Sequence, residues 1–181
     1  MKNTFLYIVT IMVWGSSWLA IKYQLGVVDP IVSVVYRFSL SAVLLLVFCK
    51  VRGLNLRFSL NEHCYMALLG VLLFSLNYWL VYIAEVHLTS GIVAVVFSSI
   101  VFMNIANASI FLKVPVKRNM VTGALIGIFG IGIIFYPEIK AFDMNDKGLF
   151  GLFILLFSVL LASFGNITSA RNTKNNIPVV Q

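Results

Sequence analysis

The sequence predicts an all-α membrane protein, a polytopic bundle of helices crossing a bilayer. Three observations predict it. First, 61% of the 181 residues are hydrophobic and only 10% are charged, with a mean hydropathy of +1.01. A soluble domain carries about a quarter charged residues, so this chain cannot cover itself with a water-compatible surface. Second, the apolar residues gather in runs of about 20, the length that a bilayer core of about 30 Å demands of a helix. Third, short polar connections separate the runs. The clearest is Ala84-Glu85-Val86-His87-Leu88-Thr89-Ser90-Gly91, which reads as a turn holding Glu85 and His87, followed by an uncharged stretch to Leu112 that Lys113 closes.

Taken in order, the spans predicted are 5–23, 31–49, 65–84, 91–112, 120–136 and 148–170. Lys2 ahead of the first run resembles a signal peptide, but Trp14 and Trp18 and the lack of a small-x-small cleavage site argue that this span stays in the protein. Asp29-Pro30 supplies an N-cap and a proline at the first helical position of the second span. Ser59-Leu60-Asn61-Glu62 fits a capping box leading into the third. Tyr136-Pro137 ends the fifth.

The lysines and arginines sort by side. With the N-terminus in the cytoplasm, the inner loops and ends carry Lys2, Lys50, Arg52, Arg57, Lys113, Lys117, Arg118, Arg171 and Lys174. The outer ones carry Lys22, Lys140 and Lys147, so the bias toward the inside sets the orientation. The net charge of +7 is strung between apolar runs instead of gathered on one folded face, which excludes nucleic acid as a partner. Cys49 and Cys64 have no framework spacing, and no His/Cys cluster has metal-ligand spacing. No phosphate loop and no nucleophile-plus-base set is present, so the sequence does not read as an enzyme, and no cofactor is implied.

The order of several short motifs resembles the EamA-type transporters of the drug/metabolite transporter superfamily. These are Trp14-Gly15-Ser16-Ser17, Tyr36-Arg37-Phe38, His87-Leu88-Thr89-Ser90-Gly91-Ile92-Val93-Ala94, and the glycines Gly123, Gly127, Gly130 and Gly132. The sequence departs from the family at Leu112-Lys113-Val114-Pro115, where a glutamate is usual, and at Ser98-Ser99-Ile100, where a proline is usual. The resemblance implies a ten-helix permease made from two five-helix repeats. Five is odd, so the second repeat inserts upside down and the site falls between the two. Residues 1–139 then form the first repeat, and 140–181 a loop and the first helix of a second, truncated one. On this reading the partners are the lipid bilayer, a small-molecule substrate, and either the missing second repeat or a second copy of the chain.

Polar residues inside the spans supply the candidate substrate site. Arg37 is the only charge well inside a span, with Ser33 and Ser41 on its face. It either holds an anionic or carboxylate-bearing substrate or snorkels to lipid phosphates. Trp14, Ser17 and Trp18 share one face of the first span, which suits an aromatic substrate or ordinary packing. Asn77, Tyr78 and Tyr82 in the third span, and Asn104 in the fourth, complete the set. Asn107 reads as an interhelical hydrogen-bonding group, and Gly123, Gly127 and Gly130 as a close helix-packing surface. Glu85 reads as a solvated loop residue. The function expected is a permease of the cell (inner) membrane that exports a small amphipathic or aromatic metabolite by alternating access. The rival readings are a non-transporting scaffold and a dimeric small multidrug antiporter, which needs a carboxylate that the first span lacks.

Overall fold

The computed structural model of the chain describes residues 2–24, 28–143 and 145–178. All regular structure among them is helical. Helix α1 is Lys2–Gln24 and α2 is Pro30–Val51. The third span is one rod, Leu60–His87. In it α3 (Leu60–Leu69) passes through a π-helical segment (Gly70–Leu76) into α4 (Asn77–His87). The fourth, Ser90–Leu112, is divided into α5 (Ser90–Phe97) and α6 (Ile100–Leu112). Then come α7 (Arg118–Ile134), a short α8 (Tyr136–Lys140) and α9 (Asp146–Lys174). Among the described residues four helices are long and apolar enough to cross a membrane: Ile31–Val51, Leu60–His87, Ser90–Leu112 and Asp146–Lys174. The apolar helices Thr4–Ser17 and Arg118–Ile134 are shorter. This is an integral membrane protein of the all-α class.

Local chemistry sets the helix starts where the sequence placed them. Asp29 accepts a hydrogen bond from the Ile31 amide at 2.8 Å, with Pro30 at the first helical position, where no donor is needed. The Ser59 hydroxyl accepts from the Glu62 amide at 3.3 Å and the Glu62 carboxylate accepts from the Ser59 amide at 2.6 Å, closing the capping box. The turn after α4 is shorter than the sequence suggested. Glu85 and His87 belong to the helix, and only Leu88 and Thr89 connect α4 to α5. Glu85 is accordingly buried, not solvated. The periodicity of its apolar neighbours carries the helix past the point where polar residue types suggested a loop.

Helix α9 is the element against which the third and fourth spans pack. Its inward stripe is built of small residues: Gly148, Gly151, Ser158, Ala162, Ser163 and Gly165 are all buried. Small side chains let backbones approach closely, which is how helices associate in lipid, where apolar burial gives no preference for protein over solvent. Gly165 lies directly on the π-helical segment: a Cβ there would stand 2.7 Å from Leu73 Cβ and 3.2 Å from its backbone. Two amides stitch the contact. Asn77 Nδ2 donates to the Ser158 carbonyl and hydroxyl, both at 2.9 Å. Asn107 Nδ2 donates to the Ser163 hydroxyl at 2.8 Å, the interhelical role expected of it.

The glycines of α7 behave otherwise than expected. A Cβ at Gly123, Gly127 or Gly130 would meet nothing within 4 Å. The close packing surface is on α9 instead. A small-residue stripe looks the same in sequence whether or not another helix lies against it. Elsewhere Gly91 is held tightly, since a Cβ would come within 2.8 Å of the Phe135 ring. That contact draws the start of α5 against the segment that follows α7.

Candidate functional site

A cavity of about 330 Å³ opens between α1, α2, the third and fourth spans and α9. From α1 it takes Trp14 and Ser17, from α2 Arg37, Phe38 and Ser41, and from the third span Phe74, Asn77 and Tyr78. Phe97 and Ile100 of the fourth span and Asn166 of α9 close it. Two other concavities lie at opposite ends of the bundle, one beside His87 and Glu138 and one beside Tyr65 and Arg171. The central one combines depth, aromatic walls and a charge, which is what a small-molecule site needs.

Arg37 dominates its chemistry. It lies about two turns inside α2 and is half-buried. Its guanidinium carbon stands 4.9 Å from the Tyr78 ring centroid and 5.6 Å from that of Phe38. The rings support one another: Phe38 meets Tyr78 edge-on at 5.0 Å and Phe74 at 5.6 Å. Tyr82 packs behind them against Val34, Phe38 and Tyr78. Among the described residues no carboxylate pairs with Arg37. Planar, weakly hydrated and stacked on aromatic faces, it offers a cation with unused donors to the cavity.

The hydroxyls are partly committed. Ser17 donates to the Val13 carbonyl at 2.7 Å and Ser41 to the Arg37 carbonyl at 2.8 Å. Each keeps its oxygen as an acceptor. Asn77 spends its amide hydrogens on Ser158, which fixes its side chain at the cavity wall.

Both flanking spans depart from regular α-helix beside the cavity. The third is π-helical over Gly70–Leu76, the turns that present Leu73 and Phe74. The fourth breaks at Ser98-Ser99, where the amides of Ser99, Val101 and Phe102 bond three residues back instead of four. The Ser98 and Ser99 hydroxyls bond the Val95 and Val96 carbonyls, each at 2.6 Å. Two serines thus interrupt the helix. Mid-helix irregularities of both kinds gather at functional sites and hinges.

Of the residues singled out from sequence, Trp14, Ser17, Arg37, Asn77 and Tyr78 all line this one cavity. Asn104 stands behind it, accepting a 3.4 Å hydrogen bond from Asn166, which does line it. Tyr82 does not reach the cavity: it is 1% exposed, packed against Val34, Phe38 and Tyr78. The Trp18 side chain lies outside the described residues. Sequence reasoning missed Phe38, Phe74, Phe97 and Asn166. Phe38 adjoins Arg37 in the Tyr36-Arg37-Phe38 motif, a usable signal, whereas a phenylalanine in an apolar span carries none.

Residues 1–136, most of the chain, match the family described as EamA-like transporters. The chain belongs to the EamA-like transporter family. Proteins similar to it include Protein PagO of Salmonella typhimurium, 22% identical over 81% of this chain and 49% of that protein. An uncharacterized transporter of Archaeoglobus fulgidus is 24% identical over 90% of this chain and 55% of its own length. Another, from Buchnera aphidicola, is 19% identical over 84% and 51%. The chain spans about half the length of the curated relatives it matches. No solved structure matches it. Membership points to a transporter rather than an enzyme.

Proposed function

We propose that the protein is a permease that carries a small amphipathic or aromatic metabolite bearing a carboxylate across the inner membrane, outward, by alternating access. The observation that carries this reading is Arg37: a guanidinium within a span, facing a cavity, stacked on Tyr78 and Phe38. A half-buried cation with no carboxylate beside it among the described residues favours an anionic guest, and aromatic walls favour a flat apolar body. The excess of basic residues on one side supports an N-terminus in the cytoplasm, which puts the His87 end of the third span outside. A second five-helix repeat, or a second copy of the chain, completes the far wall, and rocking of the two halves exposes the site to each side in turn.

Membrane vesicles containing the protein and loaded with an unlabelled aromatic carboxylate test the reading through exchange of a radiolabelled one. Arg37→Ala is expected to abolish exchange while the protein still inserts and reaches wild-type abundance. Arg37→Lys keeps the charge but not the planar fork, and is expected to retain a small fraction. Wild-type exchange in Arg37→Ala would remove the arginine from the site. Absence of exchange in the wild type for any aromatic carboxylate would favour the scaffold reading.

A further inference from the structure

The His87 end of α4, the helix whose Tyr82 packs against Val34 of α2, holds a second charged group that the substrate site does not use. Glu85 is 8% exposed, and among the described residues neither carboxylate oxygen has a hydrogen-bond partner. It lies one turn beyond Tyr82 on α4, near the end of the third span. The titratable groups at this end of the elements packed against α4 are Asp29, Tyr36 and Arg37 of α2 and its cap, and Asp146 and Lys147 of α9. Tyr82 and His87 lie on α4 itself, and α5 carries none. None of these reaches a Glu85 oxygen. Tyr82, packed against Val34 of α2, thus stands one turn from Glu85 on α4, and Val34 one turn from Arg37 on α2, so a single seam between the two helices adjoins both charged groups.

An ionised carboxylate enclosed without a partner is held at heavy cost, and the same carboxyl carrying a proton is held at far less. Sealing this seam and keeping Glu85 charged are thus in conflict. We propose that Glu85 is a proton-controlled gate on the outer side of the cavity: its carboxyl takes a proton from the outer side as the α2–α4 seam closes and returns it to that side when the seam opens. The inference rests on the permease reading for its orientation and cavity. Uptake and release both face the outer side, so Glu85 sets how often the cavity is open to the outside and carries no net proton across. Linkage makes the effect reciprocal: acid outside favours the closed seam, and whatever holds the seam closed favours the proton.

The test needs no substrate. In a variant lacking Cys64, a cysteine placed by Ser17→Cys reports access to the cavity, and its labelling by an impermeant thiol reagent added outside is measured as the outer buffer goes from mildly acidic to mildly alkaline. Rates are taken relative to a free thiol, which removes the reagent's own pH dependence. The expected result is a rise of at least about fivefold toward alkaline buffer. In Glu85→Gln, which stays neutral, labelling should be slow and flat. Glu85→Asp should recover the rise, so that loss in the glutamine variant is not a failure to fold. A glutamine variant that follows the wild-type curve, or an aspartate variant as flat as the glutamine one, overturns the proposal. A Ser17→Cys that reacts in no condition overturns the cavity reading and this one with it.

Discussion

Asn77 and Ser158 bind each other in both directions. The amide nitrogen of Asn77 donates to the Ser158 carbonyl and hydroxyl at 2.9 Å, and that hydroxyl donates to the Asn77 carbonyl at 3.1 Å. Both residues are buried, so the pair holds the third span to α9 at the level of the cavity. It also orients the cavity wall.

Losing either partner should cost both stability and binding. Interhelical hydrogen bonds in membranes contribute about 0.6 to 2 kcal/mol. Asn77→Leu and Ser158→Ala are each expected to destabilise the protein in that range, read by denaturation in mixed micelles. The double variant should be little worse than the poorer single one, because the same bonds are lost. Additive losses would mean that the two residues act separately.

The two classes of glycine make opposite predictions. Gly165→Ala places a methyl group against Leu73, where the nearest atoms stand at 2.7 and 3.2 Å and include backbone. The expected loss is about 1–3 kcal/mol, typical of overpacking. Gly127→Ala on α7 has open space and should change stability in this chain by less than about 0.5 kcal/mol, or raise it through better helix propensity. Equal losses at the two positions would show that α7 packs against something in the membrane.

The serine break in the fourth span can be closed. Ser98→Ala with Ser99→Ala removes both hydroxyl-to-carbonyl bonds, and alanine favours continuous helix. Phe97 and Ile100, which flank the break and line the cavity, should then shift. A change in the distance between spin labels at the two ends of the fourth span would report straightening, with a fall in exchange of about tenfold or more. An unchanged distance would locate the cause of the break in packing against α9.

The cap at the start of the third span is a local feature. Ser59→Ala removes one side of the capping box and should cost about 1 kcal/mol, measured in the same micelles, with exchange unaffected because Ser59 lies far from the cavity. Lost exchange would tie the capped end to the transport cycle.

The sequence alone determined the class, the helices and most of the cavity. Apolar runs of bilayer length specify helices because lipid leaves the backbone no other partner. The caps at Asp29 and Ser59 were legible because a capping bond spans only two or three residues. Arg37, Trp14, Ser17, Asn77 and Tyr78 were legible because a polar or amphipathic side chain inside a span is costly unless protein surrounds it. Three things were decided only by the tertiary structure: that Glu85 is enclosed, that Tyr82 lies behind the cavity, and that the close packing belongs to the small face of α9 and not to the glycines of α7. Each depends on which helix face meets which neighbour. Periodicity assigns a residue to a face of its own helix, whereas packing among helices decides what that face meets.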